Sequence, residues 1–166
     1  MAESKIKYGT IITPTITLAS LATSATLLTG RESAAVDNST NLYIDVLASG
    51  QVTTGTSPTD AKKIEIWAWG SFDDTPNYPD VFDGTDSAET VTSDDIKFAA
   101  LRLVASMSTD NTSDRAYPFA PVSIAGLFGQ LPQYYGFFVT HDTGVNLNST
   151  AGNHFIDLTP ITYTTA

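Results

Sequence analysis

The chain contains no cysteine. Disulfides and thiolate metal sites are therefore excluded. Bases are scarce too: eight Lys and Arg stand against 18 Asp and Glu, a net charge of −10. Phosphate backbones and anionic lipid surfaces repel such a chain, which argues against nucleic-acid and membrane partners. Charged residues of either sign make up only 16% of the sequence, where about a quarter is usual. Long apolar runs are missing as well. The nearest, ITLASLATSATLLTG, holds too many Thr and Ser for a convincing membrane span. The opening MAESKIKYG lacks the basic-then-apolar pattern of a signal peptide. No long segment repeats apolar residues at helical spacing, and no internal repeat of solenoid or propeller length is present.

What is present points to strands. The 166 residues include 25 Thr, which is β-branched, stiff at χ1 and suited to a pleated surface. Apolar residues alternate in TPTITLAS, NLYIDVLASGQV, KKIEIWAWGSF, QYYGFFVTHD and NHFIDLTPITYT. YPFAPVSIAG reads as extended, because its prolines forbid helix and suit a sheet edge. DDIKFAALRLVASM fits both periods, and its surroundings favour strand. Ser49-Gly50, Asp83-Gly84, Thr143-Gly144 and Ala151-Gly152 punctuate these segments as turns. Together they predict an all-β fold: a single-domain, jelly-roll-like antiparallel β-sandwich over residues 14–166. Residues 1–13 show no core pattern and read as an N-terminal arm, with Lys5 and Lys7 placed to meet an acidic neighbour.

Two features stand out. Strand IEIWAWGSF puts Ile64, Ile66 and Ala68 on one face and both tryptophans, Trp67 and Trp69, on the other. A sandwich strand normally shows polar side chains to water there. The pair reads three ways: an anchor in a protein interface, a stacking platform for sugar rings, or a surface covered by another part of the chain. Tyr134, Tyr135 and Phe138 of the aromatic strand are further interface candidates. The second feature is a long acidic connection, residues 73–95, carrying eight acids and no base. Loops beyond about 15 residues are uncommon and usually functional or disordered. Its Asp80, Asp83 and Asp86 are weak calcium candidates, since calcium takes oxygen ligands but the spacing of a calcium loop is absent. Tyr78 and Phe82 within it are candidates to pack over the tryptophans.

Catalytic signatures are lacking. Gly-x-Ser-x-Gly does not occur, and no acids are marked as a pair. His141 and His154 read as strand-end residues, with no third ligand at a telling spacing. The expectation is a non-enzyme that needs no cofactor and no metal.

The order of segments adds a resemblance. TITLASLATSATLLTGRESAAVDNSTNLYIDVLASGQVTTGTSPT, then IEIWAWGSFDDTPNY, then LPQYYGFFVTHDTGVNLNSTAGNHF resemble a family of small virion proteins of tailed bacteriophages. The last stretch matches at Leu131, Pro132, Gly136, Val139, Thr143, Gly144, Leu147, Gly152 and Asn153. Roughly two thirds of the chain is covered, judged from segment order. Thr75 to Asp95 departs as an apparent insertion, and His141 replaces a small polar residue. The resemblance implies a jelly-roll-like capsid decoration, or cement, protein on the outer surface of a phage head. Such proteins often form homotrimers and staple neighbouring major capsid subunits. It implies no catalytic residues. The alternative is a carbohydrate-binding or receptor-binding tail module that uses Trp67 and Trp69.

Overall fold

Alternating side chains set most of the strands, which a computed structural model describes over residues 3–165. In chain order they are β1 (Ser4–Tyr8), β2 (Thr29–Glu32), β3 (Val36–Asp37), β4 (Asp45–Thr53), β5 (Lys62–Ser71), β6 (Ala88–Thr90), β7 (Arg102–Thr109), β8 (Ala116–Ser123), β9 (Tyr134–His141) and β10 (Phe155–Thr165). Helix α1 (Asp94–Ala100) precedes β7, and α2 (Ile124–Phe128) follows β8.

The fold is an all-β sandwich of two antiparallel sheets. One sheet has the order β1-β10-β4-β8. The other runs β6-β2-β9-β5-β7, with β3 also paired to β9. Between them lies the main core, built by inward residues such as Val46, Val52, Ile64, Ile66, Phe137, Val139, Ile156 and Leu158. Residues of this set on one strand stand an even number of positions apart, the spacing that puts side chains on one face. The prolines of β8 sit at a sheet edge, where a missing N–H costs no ladder bond.

Several sequence expectations change. Ser49-Gly50, read as a turn, lies inside β4, and Ile124, Ala125 and Gly126, read as extended, begin helix α2, which Ser123 caps by accepting from the Gly126 N–H. Residues 13–20 form no strand. Leu18 is buried, but the Thr17 N–H and hydroxyl donate to Asp86 instead of to a neighbouring strand. DDIKFAALRLVASM divides into α1 and β7. Ser93 caps the helix by accepting from the Ile96 N–H, and Asp94 and Asp95 occupy its first turn. A hydroxyl cap and acids at a helix start are favourable. The expected arm, apart from its first two residues, which lie outside the described residues, contains strand β1, paired with β10 from Ser4↔Thr165 to Tyr8↔Ile161.

Gly136 shows how the tryptophans are accommodated. It lies opposite Trp69 in the β5–β9 ladder. A Cβ built on it would stand 2.5 Å from the indole Cζ2, far inside van der Waals contact. The bare glycine lets the ring lie across the neighbouring strand. Gly136→Ala is therefore expected to destabilise the fold by about 1–3 kcal/mol, the usual cost of overpacking, read as a lower urea midpoint.

Candidate functional site

The second face of β5 and β9 is closed by the acidic loop. Trp69 is fully buried and Trp67 nearly so, at 3% exposure. With Phe82, Val91, Leu101 and Phe138 they form a second core on the outer side of the larger sheet. Tyr78 meets Trp69 edge-on at 5.2 Å, and Phe82 meets Phe138 at 5.4 Å. Edge-to-face pairs at such distances are favourable. Of the three readings of the tryptophans, internal cover is the one the structure shows. Neither is exposed to stack on a sugar ring or to anchor a partner. Tyr135 and Phe138, proposed as interface residues, are fully buried as well. Tyr134 is half-buried, packs against the second core and donates to the Asp74 carbonyl at 3.4 Å. Of the interface candidates, Lys5 and Lys7 remain, both exposed on β1.

Two polar devices hold the cover down. Lys97 of α1 is 1% exposed. Its ammonium donates to Glu65 Oε2 and to the Leu27 carbonyl, each at 2.8 Å, and stands 4.8 Å from the Trp67 ring centre. The Trp67 indole N–H donates to the same Glu65 oxygen at 3.0 Å. A buried ammonium is tolerable only with such pairing. The other device is Glu32 on β2, with no exposed surface. It accepts the N–H groups of Asp83 and Gly84 at 3.2 and 2.9 Å, which ties the middle of the loop to the sheet. Burial pushes its carboxyl from the ordinary 4.5 up to about 7, although these two bonds oppose the shift.

The weak calcium candidates of the loop are engaged separately. Asp80 accepts from the Thr92 N–H and hydroxyl. Asp83 accepts from the same two groups of Thr85. Asp86 pairs with Arg31 Nε at 2.6 Å and with Thr17. The three carboxylates close three separate contacts instead of converging. Among the described residues no group of three or more His, Asp or Glu is placed to hold a metal. The histidines are separately engaged. His141 contacts the Thr143 hydroxyl and the Leu21 carbonyl, each at 3.0 Å. His154 accepts the Thr53 N–H and contacts the Asn148 carbonyl. Burial holds both below the usual imidazole range.

Shallow surface clefts among the described residues include two. One, of about 240 Å³, is lined by Asn38, Leu42, Phe72, Gln130, Leu131 and Gln133. The other includes Asp114, Asn146 and Asn148. Neither lining holds a histidine. Asp114 accepts from the Asn148 amide.

The surface carries three groups of large apolar side chains. At the first cleft, Leu42 is 71% and Phe72 48% exposed. Leu42 is held outward with φ at +53°, a left-handed conformation that is costly for a leucine. Asn38 fixes this turn by accepting the Tyr43 N–H and donating to the Tyr43 carbonyl. On α1 and β7, Phe98 and Leu103 are exposed, and Ile96 is partly exposed on another side of the helix. The third group is on the β1–β10 ribbon. β4 pairs with β10 only as far as Ile161, so the strands overhang the sheet as a two-stranded ribbon. Ile6 lies opposite Tyr163 and Tyr8 opposite Ile161. Ile6, Tyr8 and Tyr163 are each more than six-tenths exposed, while Lys5 and Lys7 point to the other face.

Comparison with protein-family models, with curated proteins and with solved structures finds no match.

Two outcomes test the sealed face. Lys97→Met leaves the Glu65 carboxylate without its cation. It should lower stability by about 3–5 kcal/mol, and adding Glu65→Gln should recover part of the loss in urea titrations. Glu32 has a folded pKa above its unfolded value, so the folded state binds more protons between them. Its contribution is complete below 4.5 and lost as pH rises to about 7. Glu32→Gln should flatten the fall in stability over that window; an unchanged slope would mean that Glu32 does not titrate there.

Proposed function

We propose that this chain is a non-enzymatic structural virion protein. On this reading it is a decoration, or cement, protein on the outer surface of a phage head, stapling neighbouring major capsid subunits. One observation carries the reading: three groups of large apolar side chains stand uncovered on different elements of one small domain. A monomer rarely leaves sizeable apolar patches in water unless they meet partners. A staple must hold more than one neighbour at once, and several patches on a rigid sandwich suit that task. The segment order and its resemblance to phage virion proteins support the same reading. A jelly-roll-like connectivity and a homotrimer belong to the same reading.

The cleft patch suits the capsid contact best. Asn38 holds Leu42 out beside Phe72, and rigid apolar anchors in a concave site carry most of the energy in protein interfaces. Wild-type protein should co-sediment with phage heads assembled without it. Leu42→Glu and Phe72→Glu should each weaken that binding about tenfold or more, with folding unchanged by near-ultraviolet circular dichroism. Wild-type protein that ignores such heads would end the decoration reading.

A further inference from the structure

The cover over the tryptophans requires one chemically fragile dipeptide, Asp83-Gly84. Gly84 has φ at +77°, and a Cβ built on it would stand 2.6 Å from the Tyr78 hydroxyl. A left-handed backbone and a lack of room both select glycine there. Asp83 is selected just as locally. Its carboxylate accepts the Thr85 N–H at 2.9 Å and the Thr85 hydroxyl at 2.6 Å, the bonding of an Asx-turn.

Aspartate followed by glycine is the sequence most open to isomerisation, because no side chain shields the glycine nitrogen from the carboxyl before it. The reaction runs in two steps. The Gly84 nitrogen attacks Asp83 Cγ and forms an N–C bond, while the carboxyl hydroxyl leaves with the amide proton as water. Water then adds to the resulting ring at the Asp83 main-chain carbonyl and opens it. The product has the same mass as the starting chain. Its main chain now runs through the side-chain carbonyl and is one carbon longer.

In the closed cover both reacting groups are engaged elsewhere. The Gly84 N–H donates to Glu32 Oε1 at 2.9 Å, and the Asp83 N–H donates to Glu32 Oε2 at 3.2 Å. Glu32 itself has no exposed surface. The Gly84 carbonyl accepts the Ala35 N–H at 2.9 Å, and the Ser87 carbonyl accepts the Glu32 N–H at 2.8 Å. The dipeptide is thus tied down from both sides. Its carboxylate is turned to Thr85, whose hydroxyl and N–H hold it below the usual carboxylate range. Ring closure needs a neutral carboxyl, from which hydroxyl can leave, and a nitrogen released from its own acceptor. The fold withholds both.

We infer that Asp83-Gly84 is a latent modification site that isomerises only when the acidic cover lifts, with Glu32 as its guard. Each opening that breaks the Glu32 bonds exposes the dipeptide to the reaction. The lengthened main chain no longer presents both N–H groups to Glu32, so converted molecules accumulate as a record of opening. The inference concerns the cover alone and is independent of any capsid.

Peptide mapping after prolonged incubation of the full chain tests it. The isomer separates from the original peptide at identical mass, and an aspartate-specific protease leaves it uncut. Folded wild-type protein should convert at least about tenfold more slowly than a free peptide spanning residues 79–88, because the reaction has to wait for local opening. Glu32→Ala removes both acceptors, and Thr85→Val removes the hydroxyl that holds the carboxylate. Each should convert faster than wild type. Val52→Ala serves as the control, since it hollows the main core of the smaller sheet and lowers stability without touching the cover. Thr85 is exposed, so its variant decides the matter if Glu32→Ala does not fold. A wild type that converts as fast as the free peptide would overturn the inference. So would loop variants that convert no faster than Val52→Ala, since global stability alone would then protect the bond.

Discussion

The larger sheet of this protein has to be buried twice. Its inner face packs on the smaller sheet through Ile64, Ile66, Phe137 and Val139. Its outer face carries Trp67, Trp69 and Phe138, and each large aromatic taken out of water contributes about 1.5–3 kcal/mol. No third sheet is available to cover them. The chain covers them instead with the connection between β5 and β7, a segment so acidic that it would otherwise stay solvated. Tyr78, Phe82 and Val91 supply the apolar underside, and the carboxylates stay on the rim.

That cover governs where the few bases go. Lys97 is drawn under α1 to Glu65, and Arg31 is drawn to Asp86. Arg115 pairs with Asp110, and Lys62 with Asp142. Four of the eight bases thus neutralise acids on the body of the sandwich. The first two are much the more sheltered, where screening is weakest. Glu32 adds a different solution: a buried carboxylate whose partners are backbone N–H groups, with no cation among them. The loop is therefore fastened in its middle by a group sensitive to protonation and, beyond it, by ion pairs at Asp86 and at Lys97.

Much of the sandwich was legible. β4, β5, β9 and β10 follow the alternation of the sequence closely, because one or both faces of each are buried and a slip would expose the wrong set. The run 13–20 misled because Ile16 and Leu18 alternate with threonines, yet the Thr17 backbone bonds to Asp86 and not to a strand. Helix α1 hid behind the apolar alternation that follows it. Its signal was present in Ser93-Asp94-Asp95, a hydroxyl cap followed by two acids. For the tryptophans the sequence left three fates open. Choosing among them required knowing that Tyr78 and Phe82 reach back over β5, a contact between segments that no local pattern encodes. Lys5 and Lys7 were legible as projecting residues. The apolar side of their strand became visible only once Ile6 and Tyr163 stood opposite one another.

The pairing of β1 with β10 has one more consequence, for the order of folding. Ser4 and Thr165 are neighbours in space and almost the whole chain apart in sequence. Loop-closure entropy makes such a contact slow to form. During synthesis it cannot form before β10 has left the ribosome. The ribbon thus closes after the strands that precede β10 have left the ribosome and, with few buried contacts, is an early element to open. A truncated or half-folded chain has no ribbon to show. Whatever the ribbon engages, it meets only chains in which β10 is already in place.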